Sequence, residues 1–258
     1  MMNDLPSSVA HKTIGYSWEK ITIGESEAST FFLRGNKNNL YLKVQPNNAV
    51  ENLHHEKERL EWLQGKLPVP EVVLYDKDET NEYLLITAVT GVNASDKSNG
   101  SNVSLMIKEL SLGLRVIHAV NIDDCPFNHK LDMKIEQARE RVRKQLVDEE
   151  DFDDLRRGQK AVNLFEKLIS QMPSSEDLVF THGDYCLPNI IIHEGKVNGF
   201  IDWGRAGIAD RYQDIALAVR SITRNFGKEY TEVFLEEYGL AQIDRTKIEY
   251  YQLLDELF

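Results

Sequence analysis

The sequence predicts an α+β fold in two lobes: a small β-rich N-terminal lobe, residues 1–89, and a larger, mainly helical C-terminal lobe, residues 90–258. Three observations predict it. Between Trp18 and Thr87, short apolar–polar alternations divided by Gly, Asn and Asp turns read as strands, with one helix among them. The polar stretch 93–102, NASDKSNGSN, then marks a lobe boundary. From Val103 onward apolar residues recur at helical spacing, interrupted by a hairpin at 180–203 that carries polar residues at its strand ends.

Residues 1–17 carry little pattern. Trp18–Ile23, Ser29–Arg34 and Leu40–Gln45 read as strands. The loop between the first two, Gly24–Ala28, has backbone N–H groups and the Ser26 hydroxyl that could meet phosphate oxygens; an ordinary hairpin loop explains it as well. In the third strand the period of two puts Tyr41 and Lys43 on one face, opposite Leu40, Leu42 and Val44. A strand lysine on a cleft face pairs with nucleotide phosphates, and a neighbouring tyrosine stacks on adenine; pattern alone equally allows a solvated edge. The helix that follows shifts the balance. Leu53, Leu60 and Leu67 recur every seven residues, with Trp62 and Leu63 beside them, and Glu56 falls on that apolar face. A carboxylate there is costly unless paired, and Lys43 is the available partner. Gly65, Pro68 and Pro70 end the helix. Glu71–Tyr75 and Glu82–Thr87 read as strands around an Asp76–Asn81 turn.

In the second lobe, Val103–Val120 places Leu105, Leu110, Leu114 and Ile117 inward. Leu131–Val147 is charged except at Met133, Ile135, Ala138, Val142 and Leu146. Residues 148–154, DEEDFDD, hold six acids in seven positions, which calls for compensating partners or a solvated loop. Gln159–Met172 is helical with Leu164, Phe165 and Leu168 inward, and so is Asp210–Phe226, where Asp214 is placed to brace the preceding loop. Ile248–Phe258 closes the chain as an amphipathic helix.

The hairpin carries the chemistry. FTHGDYCLPNIIIHEGKVNGFIDW sets Asp184 and Asn189 five residues apart, with Asp202 at the end of the next strand. Phosphoryl transfer needs a carboxylate for the attacking hydroxyl and oxygen ligands for Mg²⁺. Asp184, Asn189 and Asp202 supply both; as separate residues they would be loop caps and a turn. A two-carboxylate glycosidase is possible on paper, but leaves Asn189 and the first third of the chain unused.

His-Gly-Asp-x-x-x-x-Asn followed by Phe-Ile-Asp-Trp-Gly-Arg resembles the aminoglycoside 3′-phosphotransferases, the kanamycin and neomycin kinases of the protein-kinase-like superfamily. The likeness runs from about Tyr41 to Phe258 and includes Leu-Pro-Val-Pro at 67–70, Asp-Ile-Ala at 214–216 and the terminal Tyr-x-Leu-Leu-Asp-Glu-Leu-Phe. It implies a protein-kinase-like bilobal fold, ATP and Mg²⁺, and transfer to the 3′-hydroxyl of an aminoglycoside, conferring antibiotic resistance. By this resemblance Asp184 is the catalytic carboxylate, and Asn189 and Asp202 hold Mg²⁺. Lys43, fixed by Glu56, grips the phosphates together with Ser26. Tyr41, Ala88 and Val89 meet adenine. Asp151, Asp154, Arg205, Arg220, Asp255, Glu256 and Phe258 form the drug site, with the arginines acting through their acidic neighbours. Arg224 departs from the family, which often has a Glu there that meets the drug.

Composition fits that reading. The chain has 258 residues, 42 acidic and 30 basic, for a net charge of −12. A nucleic-acid partner would need a basic face; a polycationic substrate suits an acidic cleft, although solubility alone also explains the charge. Two cysteines and seven histidines show no disulfide framework and no metal-ligand spacing; Cys186 reads as a small buried thiol. No apolar run spans a membrane and the N-terminus lacks a signal-like apolar region, so a cytoplasmic protein is expected, as a monomer or weak dimer. Two alternatives remain: another small-molecule kinase of this fold, for choline, homoserine or a sugar amine, and a non-catalytic binding protein that keeps the fold.

Overall fold

A computed structural model of the chain describes residues 5–21, 28–50, 52–99 and 102–258. Their contacts divide it into two units. The first runs to Val92 and includes Ile191–Glu194 and Asn198–Gly204; the second comprises Asn93–Ile190, Gly195–Val197 and Arg205–Phe258.

The first unit is an antiparallel sheet with two helices. It contains α1 (Ser7–Lys12), β1 (Ser17–Ile21), β2 (Ser29–Arg34), β3 (Leu40–Pro46), α2 (Leu53–Leu63), β4 (Val72–Lys77) and β5 (Asn81–Thr87), with sheet order β1-β2-β3-β5-β4. β3 lies between β2 and β5, with Lys43 opposite Thr30 on one side and Leu84 on the other. Its alternation is as the sequence predicts: Leu40 and Leu42 are buried, in a cluster with Val9, Leu33, Tyr83 and Leu85. Three details differ. The first seventeen residues are not without structure: α1 is there, short, with Val9 as its one buried residue. Leu67 is buried but lies beyond α2, because Gly65 takes a φ of 74° and ends the periodicity that the seven-residue spacing suggests. The first strand starts at Ser17 and is described to Ile21; the rest of the reading to Ile23, and Ser26, lie outside the described residues.

The second unit begins in a short strand, β6 (Val92–Asn93), followed by α3 (Val103–His118), α4 (Leu131–Arg143) and α5 (Ala161–Ser170). Then come β7 (Leu178–Thr181) and a hairpin of β8 (Ile190–His193) and β9 (Lys196–Phe200), both clustering largely with the first unit. Glu194 and Gly195 both have positive φ, 51° and 76°, as a two-residue hairpin turn requires. β10 (Gly207–Asp210), α6 (Tyr212–Phe226), α7 (Glu229–Tyr238) and α8 (Arg245–Asp255) complete the chain. α3 packs on α7, and α6 on α7 and α8. Asn52, Asn102 and Asp244 cap α2, α3 and α8 through side-chain oxygens.

Several inward assignments are corrected. Leu105 is 47% exposed; the buried face of α3 is Met106, Ile107, Leu110, Leu114 and Ile117. Five residues at about 100° each leave Leu105 about 140° from Leu110. Met133 and Leu146 are exposed for the same kind of reason, α4 burying Leu131, Ile135 and Ala138 and ending at Arg143. Phe165 is half-buried, with Arg139 over its ring at 5.3 Å. Asp210, expected to open the helix, instead ends a strand, Gly207–Asp210, paired with β7; the helix starts at Tyr212. No helix among the described residues is long and apolar enough to cross a membrane.

Candidate active site

The first unit assembles a buried ion pair. Lys43 Nζ donates to both oxygens of Glu56 at 2.8 Å and to Asp202 Oδ1 at 3.2 Å. Glu56 is 3% exposed on α2, so the ammonium is its compensation. Burial would push the Lys43 ammonium down, but the Asp202 and Glu56 carboxylates outweigh it and raise it, keeping it charged through neutral pH. Burial raises the Glu56 carboxyl; Lys43 and the Trp203 amide oppose that shift. Asp202 is about half exposed and takes a φ of 66°, a left-handed conformation a non-glycine residue rarely adopts.

The predicted adenine-facing residues are less uniform. Tyr41 lies half-buried on the Lys43 face, its ring tilted against Phe32 at 5.1 Å. The Ala88 N–H donates to the Asn39 carbonyl at 3.0 Å, so that amide is already spent and only the carbonyl side of Ala88 is left for a base edge. Val89 packs beside Gly199, where an added Cβ would lie 2.8 Å from Val89 Cγ1.

The second unit builds the loop after β7. Asp214, fully buried in the first turn of α6, accepts the amides of His182 at 2.7 Å and Gly183 at 2.8 Å. The bracing that the sequence suggested for Asp214 is therefore made by its carboxylate on two backbone donors. His118 Nε2 adds a third contact at 3.0 Å. Arg211 donates to the Tyr238 hydroxyl at 3.0 Å, and that hydroxyl lies 2.7 Å from His118 Nδ1. Farther along the loop, the Tyr185 hydroxyl donates to the Leu110 carbonyl at 2.7 Å, and Ser221 Oγ accepts the Leu187 amide at 3.0 Å. Asn189 Nδ2 donates to the Asp184 carbonyl at 3.0 Å and to its Oδ2 at 2.9 Å. Asp184 and Asn189 are thus brought together, with the amide oxygen of Asn189 turned to its other side. Cys186 is half-exposed rather than buried, and both cysteines are free thiols.

The C-terminal residues are tied down by arginines. Arg220 pairs with Asp255 and, at 3.1 Å, with Glu256; Arg205 reaches Asp255 at 3.6 Å. Burial would lower the Arg220 guanidinium; Asp255, Glu256 and Asp184 hold it above its usual range. Glu256 also accepts the Asp153 amide at 2.9 Å and lies 3.5 Å from Arg156. Its side chain is 3% exposed, and burial pushes its carboxyl up to about 7. Arg141 donates to the Leu257 and Phe258 main-chain oxygens at 2.7 and 2.6 Å, and Lys134 sits 4.4 Å over the half-buried Phe258 ring. The acid run finds its partners nearby: Glu149 with Lys160, Asp153 with Arg156, and exposed Asp154 with Arg157 at 2.5 Å. Asp151 is exposed. His118, Ser221 and Arg141 had no local signal, since each acts across more than thirty residues of chain.

The chain matches the model of the phosphotransferase enzyme family over residues 17–251 and belongs to that family. It is 42% identical over 219 residues to an aminoglycoside 3′-phosphotransferase of Niallia circulans, covering 84% of this chain and 83% of that one. A crystal structure of an aminoglycoside 3′-phosphotransferase of type VIII superimposes with a TM-score of 0.90 at 34% identity, covering 100% and 99% of the two chains. The structure of APH(3″)-Id from Streptomyces rimosus with ADP and streptomycin follows at 0.81 and 27% identity, covering 96% and 95%. The fold is the protein-kinase-like fold of the aminoglycoside kinases.

Proposed function

We propose that this chain transfers the γ-phosphoryl group of ATP to the 3′-hydroxyl of a 2-deoxystreptamine aminoglycoside. One observation carries the reading: the Asp184–Asn189 loop, pinned by Asp214, occurs in a chain 42% identical to an aminoglycoside 3′-phosphotransferase. The ADP and streptomycin of the Streptomyces rimosus structure support nucleotide and aminoglycoside as the two substrates.

Asp184 orients the sugar hydroxyl and accepts its proton. Asn189, by donating to the Asp184 carboxylate, aims that carboxylate and limits its rotation. Lys43, held by Glu56, grips the α- and β-phosphates; Ser26 belongs to the same phosphate contact, and Tyr41, Ala88 and Val89 to adenine. Asn189 and Asp202 fit a hard cation. The first has its amide nitrogen spent on Asp184, which leaves an oxygen, and the second is a half-exposed carboxylate. Mg²⁺ held by either residue would supply neutralisation of phosphate charge. Exposed Asp151 and Asp154, with Asp255 and Phe258, meet the ammonium groups through charge-assisted hydrogen bonds and packing. Arg205, Arg220 and Glu256 set their geometry. Arg224, exposed on α6, adds a cation that narrows the range of drugs accepted. Phosphorylation adds negative charge and bulk to a cation that binds RNA, and resistance is the result.

The test is Asp184→Ala in an assay of ADP release with kanamycin A. Proton acceptance and orientation together predict a fall in kcat of about a thousandfold or more, with both KM values little changed. Wild-type turnover in the variant would remove Asp184 from the mechanism.

A further inference from the structure

Two buried carboxylates, Glu82 and Asp210, are not accounted for by the site. Glu82, in β5, is 1% exposed. Its Oε2 accepts the N–H of Leu53, the first residue of α2, at 3.0 Å. Its Oε1 receives Lys77 Nζ at 3.1 Å.

The location has consequences for the ion pair. The first four amides of a helix lack partners within it, and negative charge is favourable at that end. Asn52 takes the amide of His54 at 2.7 Å; Glu82 takes that of Leu53. Glu56 is three residues farther on, about 4.5 Å along the axis. Glu82 is also the cross-strand partner of Gln45, two residues from Lys43 in the same register. One carboxylate thus connects the helix that bears Glu56 to the strand paired with the one that bears Lys43. A displaced first turn of α2 would carry Glu56 away from Lys43.

We propose that Glu82 is a positioning residue for nucleotide binding: it latches the first turn of α2 to β5 and so holds Glu56 against Lys43. The proposal rests on the phosphoryl-transfer reading only in assigning the nucleotide phosphates to Lys43. The latch requires a charge, since a glutamine would turn an amide nitrogen toward either the Lys77 ammonium or the Leu53 amide, both of them donors.

The experiment compares the full-length wild type with Glu82→Gln, Glu82→Asp and Lys77→Met. It reads KM for ATP and for kanamycin A, ATP–Mg²⁺ affinity by calorimetry, and hydrogen exchange of amides 53–57. For Glu82→Gln the KM for ATP rises about tenfold, the kanamycin KM moves less than about twofold, and exchange at 53–57 quickens about tenfold relative to α6. Glu82→Asp recovers part of each change. Lys77→Met, which alters only the solvent side of the latch, shifts ATP affinity about twofold to threefold in the same direction and serves if Glu82→Gln does not fold. A lower melting temperature with unchanged ATP affinity and unchanged relative exchange at 53–57 would overturn the proposal. An inactive wild type would count against the proposed function alone; exchange and ATP calorimetry would still decide the latch.

Discussion

Replacing Asp214 with asparagine keeps the side-chain shape and removes one acceptor. In the wild type Oδ2 receives the His182 amide and His118 Nε2, while Oδ1 receives the Gly183 amide. With the asparagine oxygen in the Oδ2 position, its NH₂ group faces the Gly183 N–H, donor against donor. A buried donor left unmet costs about 1–3 kcal/mol, and loss of charge assistance on the other two bonds adds about 1–2 kcal/mol. The total is about 2–5 kcal/mol. For a chain of this size that corresponds to a melting temperature lower by about 5–15 °C. Gly183 directly precedes Asp184, so the displaced amide also moves the catalytic carboxylate, and kcat falls by about tenfold to a hundredfold with the nucleotide KM little changed. Thermal unfolding and ADP release measure the two effects on one sample. An Asp214→Asn variant that melts within about 2 °C of wild type with unchanged kcat would refute the claim that this carboxylate sets the loop.

The Asp184–Asn189 and Lys43–Glu56 contacts were legible because their signals lie close in the chain. Asp184 and Asn189 lie five residues apart, and their hydrogen bond is a short-range contact. Lys43 and Glu56 could be paired from sequence because an acid on an apolar helix face demands a cation and the neighbouring strand offers one. Glu82 was read only as the start of a strand, since the amide it serves is twenty-nine residues earlier in the chain. Glu256 was read as an acid of the drug site without its Arg156 and Asp153 contacts for the same reason: these partners come from distant segments. α1 escaped notice because six residues with one buried side chain give no period to detect. Leu105 shows the opposite error, an apolar residue assigned inward by type rather than by angle.

Two further predictions follow from the geometry. Gly183→Ala would place a Cβ 2.0 Å from the Arg205 carbonyl oxygen at a φ of 84°, so the variant should lose soluble yield or activity; wild-type melting and turnover would contradict this. Glu256 has its carboxyl raised from 4.5 to about 7, chiefly by burial, beside Asp153, Asp255, Arg156 and Arg220. The native state then holds the proton more tightly than the unfolded chain, so stability falls as pH rises from 4.5 toward 7 and levels above it. Glu256→Gln should remove that component, which denaturation midpoints at about pH 5 and about pH 8 would reveal; equal pH dependence in both proteins would contradict it.

The most direct measurement is ADP release with kanamycin A and with tobramycin, which lacks the 3′-hydroxyl. ATP-dependent turnover is expected with kanamycin A, and none above background with tobramycin. Equal turnover with both would contradict transfer to the 3′-hydroxyl, and turnover with choline but neither drug would contradict the aminoglycoside assignment itself.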